Sequence, residues 1–326
     1  MKIAVTGASG HIGSNICREL IQRGYEVNAL VFDDTEAIEG LNLKIVKGNV
    51  LDSESLRTLL TGCHGLIHAA GNITLGYKFN QKMYDVNVTG TKIILEMAKE
   101  CGVKRIVHFS SVHAYSQKPH DKPVTDQSRF IEDGESIYYD QTKRDGHLLA
   151  LEAAKNGQEV MVVCPTAVLG APDYKVSKLG QAIIDIVKGN VPASVKGGFD
   201  FVDVKDVAIG SILAMEKGIP GHSYILGNEY HTIQSFGNLT LEASGSKKRL
   251  IELPIFLAYV GLPFVQLYSA ITKRPPLYDK AYIDVLLDGN KDTSSDRAKE
   301  ELGYAPRPMK DTLVETVQFF RERGQL

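Results

Sequence analysis

The residues best able to do chemistry lie together at 138–143, where the chain reads Tyr-Tyr-Asp-Gln-Thr-Lys. Tyr139 and Lys143 stand four apart at the opening of a predicted helix running to about Asn156, so both side chains leave one face. An ammonium beside a phenol favours phenolate and is expected to lower the tyrosine pKa toward the working range. Tyr139 is therefore a candidate general acid for reducing a ketone, or a base for oxidising an alcohol. Ser111, just beyond the predicted strand Arg105 to Phe109, can donate to a carbonyl oxygen as charge builds there. Tyr-x-x-x-Lys is common on surface helices; its weight here comes from what precedes it.

What precedes it is the opening Lys2-Ile3-Ala4-Val5-Thr6-Gly7-Ala8-Ser9-Gly10-His11-Ile12-Gly13. Strand-forming residues run into three glycines spaced by three, and a helical pattern (Ile12, Ile16, Leu20) opens behind them. Such a turn brings main-chain N–H groups against a pyrophosphate, with the positive end of the helix behind it. Gly7, Gly10 and Gly13 keep Cβ atoms out of that approach, and the main chain of His11 and Ile12 completes the cradle.

The elements that position these groups alternate. Predicted strands lie at Lys2–Thr6, Glu26–Phe32, Leu43–Val46, Gly65–Gly71, Arg105–Phe109 and Val160–Cys164, with helices between them and Asp52 as an N-cap. Near-continuous apolar strands separated by helices predict an α/β fold: a Rossmann-type, doubly wound parallel sheet with a smaller mixed C-terminal substrate lobe. Residues 1–170 would form the dinucleotide-binding domain, with 200–217 and part of the C-terminal region packing back on it. Residues 171–326 would be mainly the substrate lobe, with Pro- and Gly-punctuated 218–276 building much of it. Ligands on such sheets sit beyond the carboxyl ends of the strands.

Composition narrows the classes. With 326 residues, 43% hydrophobic and 23% charged, the chain is that of a globular protein, and its net charge of −2 offers no nucleic-acid footprint. Cys17, Cys63, Cys101 and Cys164 have no pairing or metal spacing, which reads as free thiols in a reducing compartment. The chain opens directly on a strand, so no signal peptide is expected and cytoplasm is the default. The histidines form no ligand-spaced cluster, so no metal is expected. The run Ile251 to Ile271 is long and apolar, but Pro254, Pro263, Glu252 and Gln266 interrupt it. It is expected to wall or lid an apolar substrate pocket and not to span a membrane.

The order of motifs resembles the extended short-chain dehydrogenase/reductase (NAD-dependent epimerase/dehydratase) family along almost the whole chain. The matching stretches are Thr6 to Gly13, His68-Ala69-Ala70-Gly71, Asn87-Val88-Thr89-Gly90-Thr91, Ser110-Ser111, Tyr139 with Lys143, Pro165 to Gly170, Phe201 to Ala208 and the tail Ser295 to Pro308. Within the family it looks most like the dihydroflavonol-reductase and 3β-hydroxysteroid-dehydrogenase-like members, to which Leu253-Pro254 and Lys273-Arg274-Pro275-Pro276 contribute.

The resemblance implies that Ser111, Tyr139 and Lys143 are catalytic, with Lys143 also on the cofactor ribose. Asn49 and Val50 would touch adenine, Asn49 standing where the family usually has Asp. Ala69, Ala70 and Gly71 would line the ribose, and Pro165 to Val168 would face the nicotinamide. Asn87 would tie helix to sheet. His113 and Tyr115 are candidate substrate contacts or packing residues. At Phe32 NADPH-dependent relatives commonly carry arginine, and Asp33 lies at the general distance for a ribose carboxylate, so NAD is expected over NADP.

Three functions remain open at this point. The first is an NAD(P)-dependent ketone/alcohol oxidoreductase acting on a small, fairly apolar molecule. The second is a nucleotide-sugar epimerase with tightly held NAD, and the third a non-catalytic cofactor sensor. A sugar dehydratase is disfavoured, because Val112-His113 replace the Asp-Glu pair of such relatives. A homodimer is left open as the assembly.

Overall fold

The computed structural model describes residues 1–191, 193–272 and 280–326, with side chains at all of these but 264–272 and 282. The motif Lys273-Arg274-Pro275-Pro276 lies outside the described residues. The strands are β1 (Lys2–Thr6), β2 (Glu26–Val31), β3 (Lys44–Lys47), β4 (Gly65–His68), β5 (Arg105–Phe109), β6 (Glu159–Pro165), β7 (Ala167–Leu169), β8 (Ala193–Val195), β9 (Gly198–Asp203), β10 (Ser223–Leu226), β11 (Glu229–Thr232) and β12 (Ile251–Leu253). The helices are α1 (His11–Gln22), α2 (Ser53–Leu60), α3 (Gln81–Tyr84), α4 (Gly90–Glu100), α5 (Tyr138–Lys155), α6 (Lys178–Lys188), α7 (Val204–Lys217), α8 (Ile233–Ala243), α9 (Ile255–Thr272), α10 (Lys280–Asp288) and α11 (Met309–Glu322).

Seven parallel strands form the central sheet in the order β10-β6-β5-β4-β1-β2-β3. The strand side chains alternate between two cores. Ile3, Val5, Ile67 and Val107 pack beneath α1 and α7; Ala4, Leu66, Ile106 and Val160 pack beneath α2, α4 and α5. Both faces are covered, as a parallel sheet requires. The predicted first six strands agree with those observed to within a few residues. Segment 218–276 differs, because it returns β10 to the sheet beside β6, with Tyr224 opposite Val163.

The remaining strands make two small sheets, β11-β9-β7 and β12-β8. A third core joins β7 and β9 to α6, α8 and α11 through Leu169, Ile183, Phe201, Phe236, Leu313 and Phe320. Phe201 and Phe236 stack with ring centroids 4.5 Å apart. Among the described residues five of the helices open on a side-chain cap: Asp52 accepts from Glu54 N, Asn80 from Met83 N, Ser177 from Gly180 N, Asp203 from Lys205 N and Thr232 from Ser235 N. The predicted helix from Asn80 to Cys101 is continuous, but its middle (Asp85–Thr89) widens into a π-turn around Asn87. Among the described residues no helix is long and apolar enough to cross a membrane.

The turn after β1 is closely packed, backbone against backbone. A Cβ on Gly13 would stand 2.0 Å from the Gly7 carbonyl oxygen, so α1 can approach β1 only with glycine there. Gly13→Ala should therefore cost roughly 1–3 kcal/mol through overpacking. Denaturant melts of the variant against the parent check this; an unchanged midpoint would show that the turn can relax.

Candidate active site

Gly7 adopts φ +68°, and a Cβ there would stand 2.8 Å from the Ala69 carbonyl oxygen and from the Ala70 backbone. The Gly10 N–H donates to the Gly7 carbonyl at 2.9 Å, and Gly10 caps α1 with no side chain. The opening N–H groups of α1 are thus left without a side-chain acceptor, behind a glycine floor that a pyrophosphate can approach. The residues fit a dinucleotide. The His11 ring bonds the Gly170 carbonyl at 2.8 Å, joining the cradle to the loop after β7. Pro165 ends β6, and Val168 is half-buried in β7 alongside.

Beside the cradle runs a buried polar chain. The Thr6 hydroxyl lies 2.7 Å from His68 Nδ1 and accepts from Ala70 N. His68 Nε2 lies 3.3 Å from the Thr91 hydroxyl, which donates to the Asn87 carbonyl. Hydroxyls on both sides suit one neutral tautomer, Nε2–H, assigned from this network. Burial, with the Lys143 ammonium nearby, pushes His68 down to about 3. Asn87 accepts from Asn72 N at 2.7 Å and donates to the Thr142 hydroxyl at 2.9 Å, bridging the loop after β4 to α5.

Ser111, Tyr139 and Lys143 come together where β5 ends against the first turn of α5. The Ser111 hydroxyl stands close enough to the Tyr139 phenol to lower its pKa and accepts from His113 N at 3.2 Å. The Lys143 ammonium donates to the Phe109 carbonyl, and a methyl on Gly71 would lie 3.9 Å from it. Desolvation lowers Lys143 to about 8. Tyr139 departs from the sequence expectation. Burial and the Asp140 carboxylate raise its phenol above the ordinary range, against Ser111, which lowers it, and the lysine is turned to a carbonyl instead. The phenol therefore holds its proton at neutral pH.

At the far end of the cradle, Phe32 is 71% exposed. The Asp33 carboxylate accepts from the Asp34 N–H at 2.8 Å, and Asp34 pairs with Lys175 at 3.0 Å. Asn49 turns its amide oxygen onto Leu51 N at 2.8 Å, and Val50 is buried against Gly90. What these two present at the surface is an Asx turn and main chain.

His113 lines a narrow cleft with Ala167, Phe199 and Asn290. A wider one is lined by Tyr77, Lys118, Ser136, Asp284 and Leu287, next to the start of α5. Tyr115 takes the packing alternative. It is 1% exposed, stacked on Phe130 with centroids 5.0 Å apart and edge-on to His147. As a substrate contact it is corrected, because the short helical turn Val112–Ala114 rotates it into the core.

The sequence reading passed over His108 and His147. His147 bonds the hydroxyls of Ser110 at 3.0 Å and Ser223 at 2.8 Å. His108 is buried with both ring nitrogens unpaired. Position 147 continues the spacing 139, 143, 147, which was a usable signal for that face of α5. Lys175 gave no local signal, since it reaches Asp34 from a distant loop.

A family model described as the NAD dependent epimerase/dehydratase family matches residues 3–227. Sterol demethylase protein B of Methylococcus capsulatus is 33% identical, with 100% of each chain covered. A 4-hydroxy-2-methyl-3-oxo-4-farnesyl-3,4-dihydroquinoline-1-oxide ketoreductase of Stigmatella aurantiaca is 29% identical over 94% of this chain and 92% of its own. The crystal structure of gox2253 superposes with a TM-score of 0.85 at 30% identity, covering 99% of both chains.

Two pH effects follow from the buried groups. Lys143, lowered when folded, makes the protein bind fewer protons than the unfolded chain between about 8 and the ordinary lysine value. Stability should rise with pH across that window, and at pH 7 the buried charge costs roughly 3 kcal/mol. Lys143→Met should therefore stabilise by roughly 1–3 kcal/mol at pH 7, less than the full cost because the Phe109 carbonyl loses its donor. His68 and His147, both held down near 3, and His108, held well below its usual value, act at the acid end. Each should withdraw about 1.4 kcal/mol per pH unit as pH falls below about 6.5. Denaturation midpoints from pH 4 to 10 check both; a less stable Lys143→Met would refute the first.

Proposed function

The chain belongs to the NAD dependent epimerase/dehydratase family, and on that premise we propose that it reduces a ketone on a fairly apolar small molecule through Ser111, Tyr139 and Lys143. What supports this reading is the Tyr139 phenol standing beside Ser111 where β5 ends, with burial raising its pKa so that it keeps a proton to give. A reduced nicotinamide, held by the glycine turn after β1 and by Lys143 at its ribose, would supply the hydride for the carbonyl carbon. Tyr139 gives its proton to the carbonyl oxygen, which thereby becomes the alcohol, and Ser111 donates to that oxygen as its charge grows. Lys143 offers a cation to stabilise the phenolate left behind and a donor for the ribose. A phenol that keeps its proton favours reduction, since oxidation of an alcohol needs the phenolate first. The names of two relatives, one a sterol protein and one a farnesyl-quinoline ketoreductase, support an apolar substrate.

For the cofactor we propose NAD(H) over NADP(H). Phe32 offers no fork to a 2′-phosphate, Asp33 and Asp34 oppose one, and Lys175 is neutralised by Asp34.

Tyr139→Phe should lose on the order of 10²–10⁴-fold in kcat while cofactor affinity changes little. The assay follows oxidation of NADH with ketosteroids, flavonoids and nucleotide sugars. Turnover on ketones at the parent rate in Tyr139→Phe refutes the assignment, and sugar interconversion without net cofactor use identifies an epimerase. Asp34→Asn should release Lys175 and raise kcat/KM for NADPH relative to NADH on the order of tenfold. A parent enzyme already preferring NADPH would overturn the cofactor reading.

A further inference from the structure

The run Ile251 to Ile271 contains one charged residue, Glu252, and is bracketed in the sequence by Lys247-Lys248-Arg249 and Lys273-Arg274. Its described part is not folded away. Ile251 and Leu253 stand on one face of β12, exposed, with Glu252 on the other. Pro254 turns the chain into α9, where Phe256 and Val260, a helical turn apart, are each 59% exposed and Leu257 and Tyr259 are exposed beside them. Large apolar side chains gathered in this way mark an interaction surface.

The charges around the patch say what it meets. Lys247, Lys248 and Arg249 are all exposed directly before β12. On the partner strand β8, Val195 pairs with Leu253, and exposed Lys196 follows it. Lys280 lies near Tyr259 but is engaged by Asp284. Among the described residues Lys196, Lys247 and Lys248 have no ion-pair partner, Arg249 lies between the Asn238 carbonyl and Glu242, and Glu252 is the one carboxylate within the apolar run itself. An apolar, aromatic-bearing surface with a cationic rim complements an anionic bilayer, whose headgroups attract the rim while its acyl boundary takes the apolar side chains.

We propose that β12 and the first turns of α9 form a monotopic docking surface for anionic lipid membranes. The segment lies on the bilayer and does not cross it. Tyr259 of α9 lies near Lys280, which pairs with Asp284 in the wall of the cleft beside the start of α5, so docking would set the membrane surface near that cleft. The proposal stands independently of the ketone chemistry above.

The protein contains no tryptophan, so Phe256→Trp gives a single reporter at the centre of the patch. With large unilamellar vesicles of phosphatidylcholine and phosphatidylglycerol, its emission should shift to the blue and be quenched by lipids brominated in the acyl chain. Pure phosphatidylcholine should give much weaker binding. In co-sedimentation of the full chain, Lys247→Gln/Lys248→Gln/Arg249→Gln should weaken binding to the anionic vesicles on the order of 100-fold. Phe256→Asp/Val260→Asp should abolish it while leaving the thermal melt intact, since both side chains are already exposed. An unshifted Phe256→Trp spectrum with anionic vesicles overturns the proposal, as does undiminished sedimentation of the double aspartate variant. Loss of an oligomer in that variant, with a parent protein that ignores vesicles, would assign the patch to a second copy of the chain and overturn it equally.

Discussion

One ammonium held where no carboxylate meets it governs the centre of this molecule. Lys143 is buried beneath the end of β5, and among the described residues its surroundings are a carbonyl, the thiol of Cys164 and the rings of His68, His108 and His147. Burying a cation this way is costly, and the cost is borne by the rest of the sheet. The three histidines stay neutral because a charged ring would add repulsion to desolvation. The hydroxyls of Thr6, Thr91, Ser110 and Ser223 satisfy His68 and His147 without bringing in charge. The region remains electropositive, and the Tyr139 phenol, its pKa raised, releases its proton only when something stabilises the phenolate.

How far this was legible in the chain depended on the range of the interactions. The glycine spacing, the alternation of strand and helix and the Tyr139–Lys143 pair are local patterns, and each predicted its element. The tyrosine's ionisation was not local. Spacing alone placed the ammonium beside the phenol, but the Phe109 carbonyl competes for it, and that carbonyl is brought in by a strand thirty-odd positions earlier. Tyr115 was ambiguous because a single short turn decides whether its ring faces cleft or core. Lys175 could not be read at all, since its partner Asp34 lies across two lobes of sequence.

The same long-range ties bind the nucleotide end to the C-terminus. Tyr174 lies between Arg18 of α1 and Arg323 beyond α11, at 5.2 and 4.9 Å from its ring centre, and Arg323 also reaches Glu36. Asn15 donates to the Pro172 carbonyl, one turn from His11 on Gly170. The cradle is thus clasped from outside by the loop after β7 and by Arg323 near the end of the chain.

The return of β10 to the sheet also has a bearing on biosynthesis. Until residues 166–222 have been made and Ser223–Leu226 docks, β6 is an open edge, apolar on both faces, with its main-chain groups ready to accept a strand. During translation the emerging polypeptide carries that unsealed flank, and parallel pairing across a long detour closes slowly. Chaperone dependence in the cell, and precipitation of any fragment that stops short of β10, would both originate at this one seam.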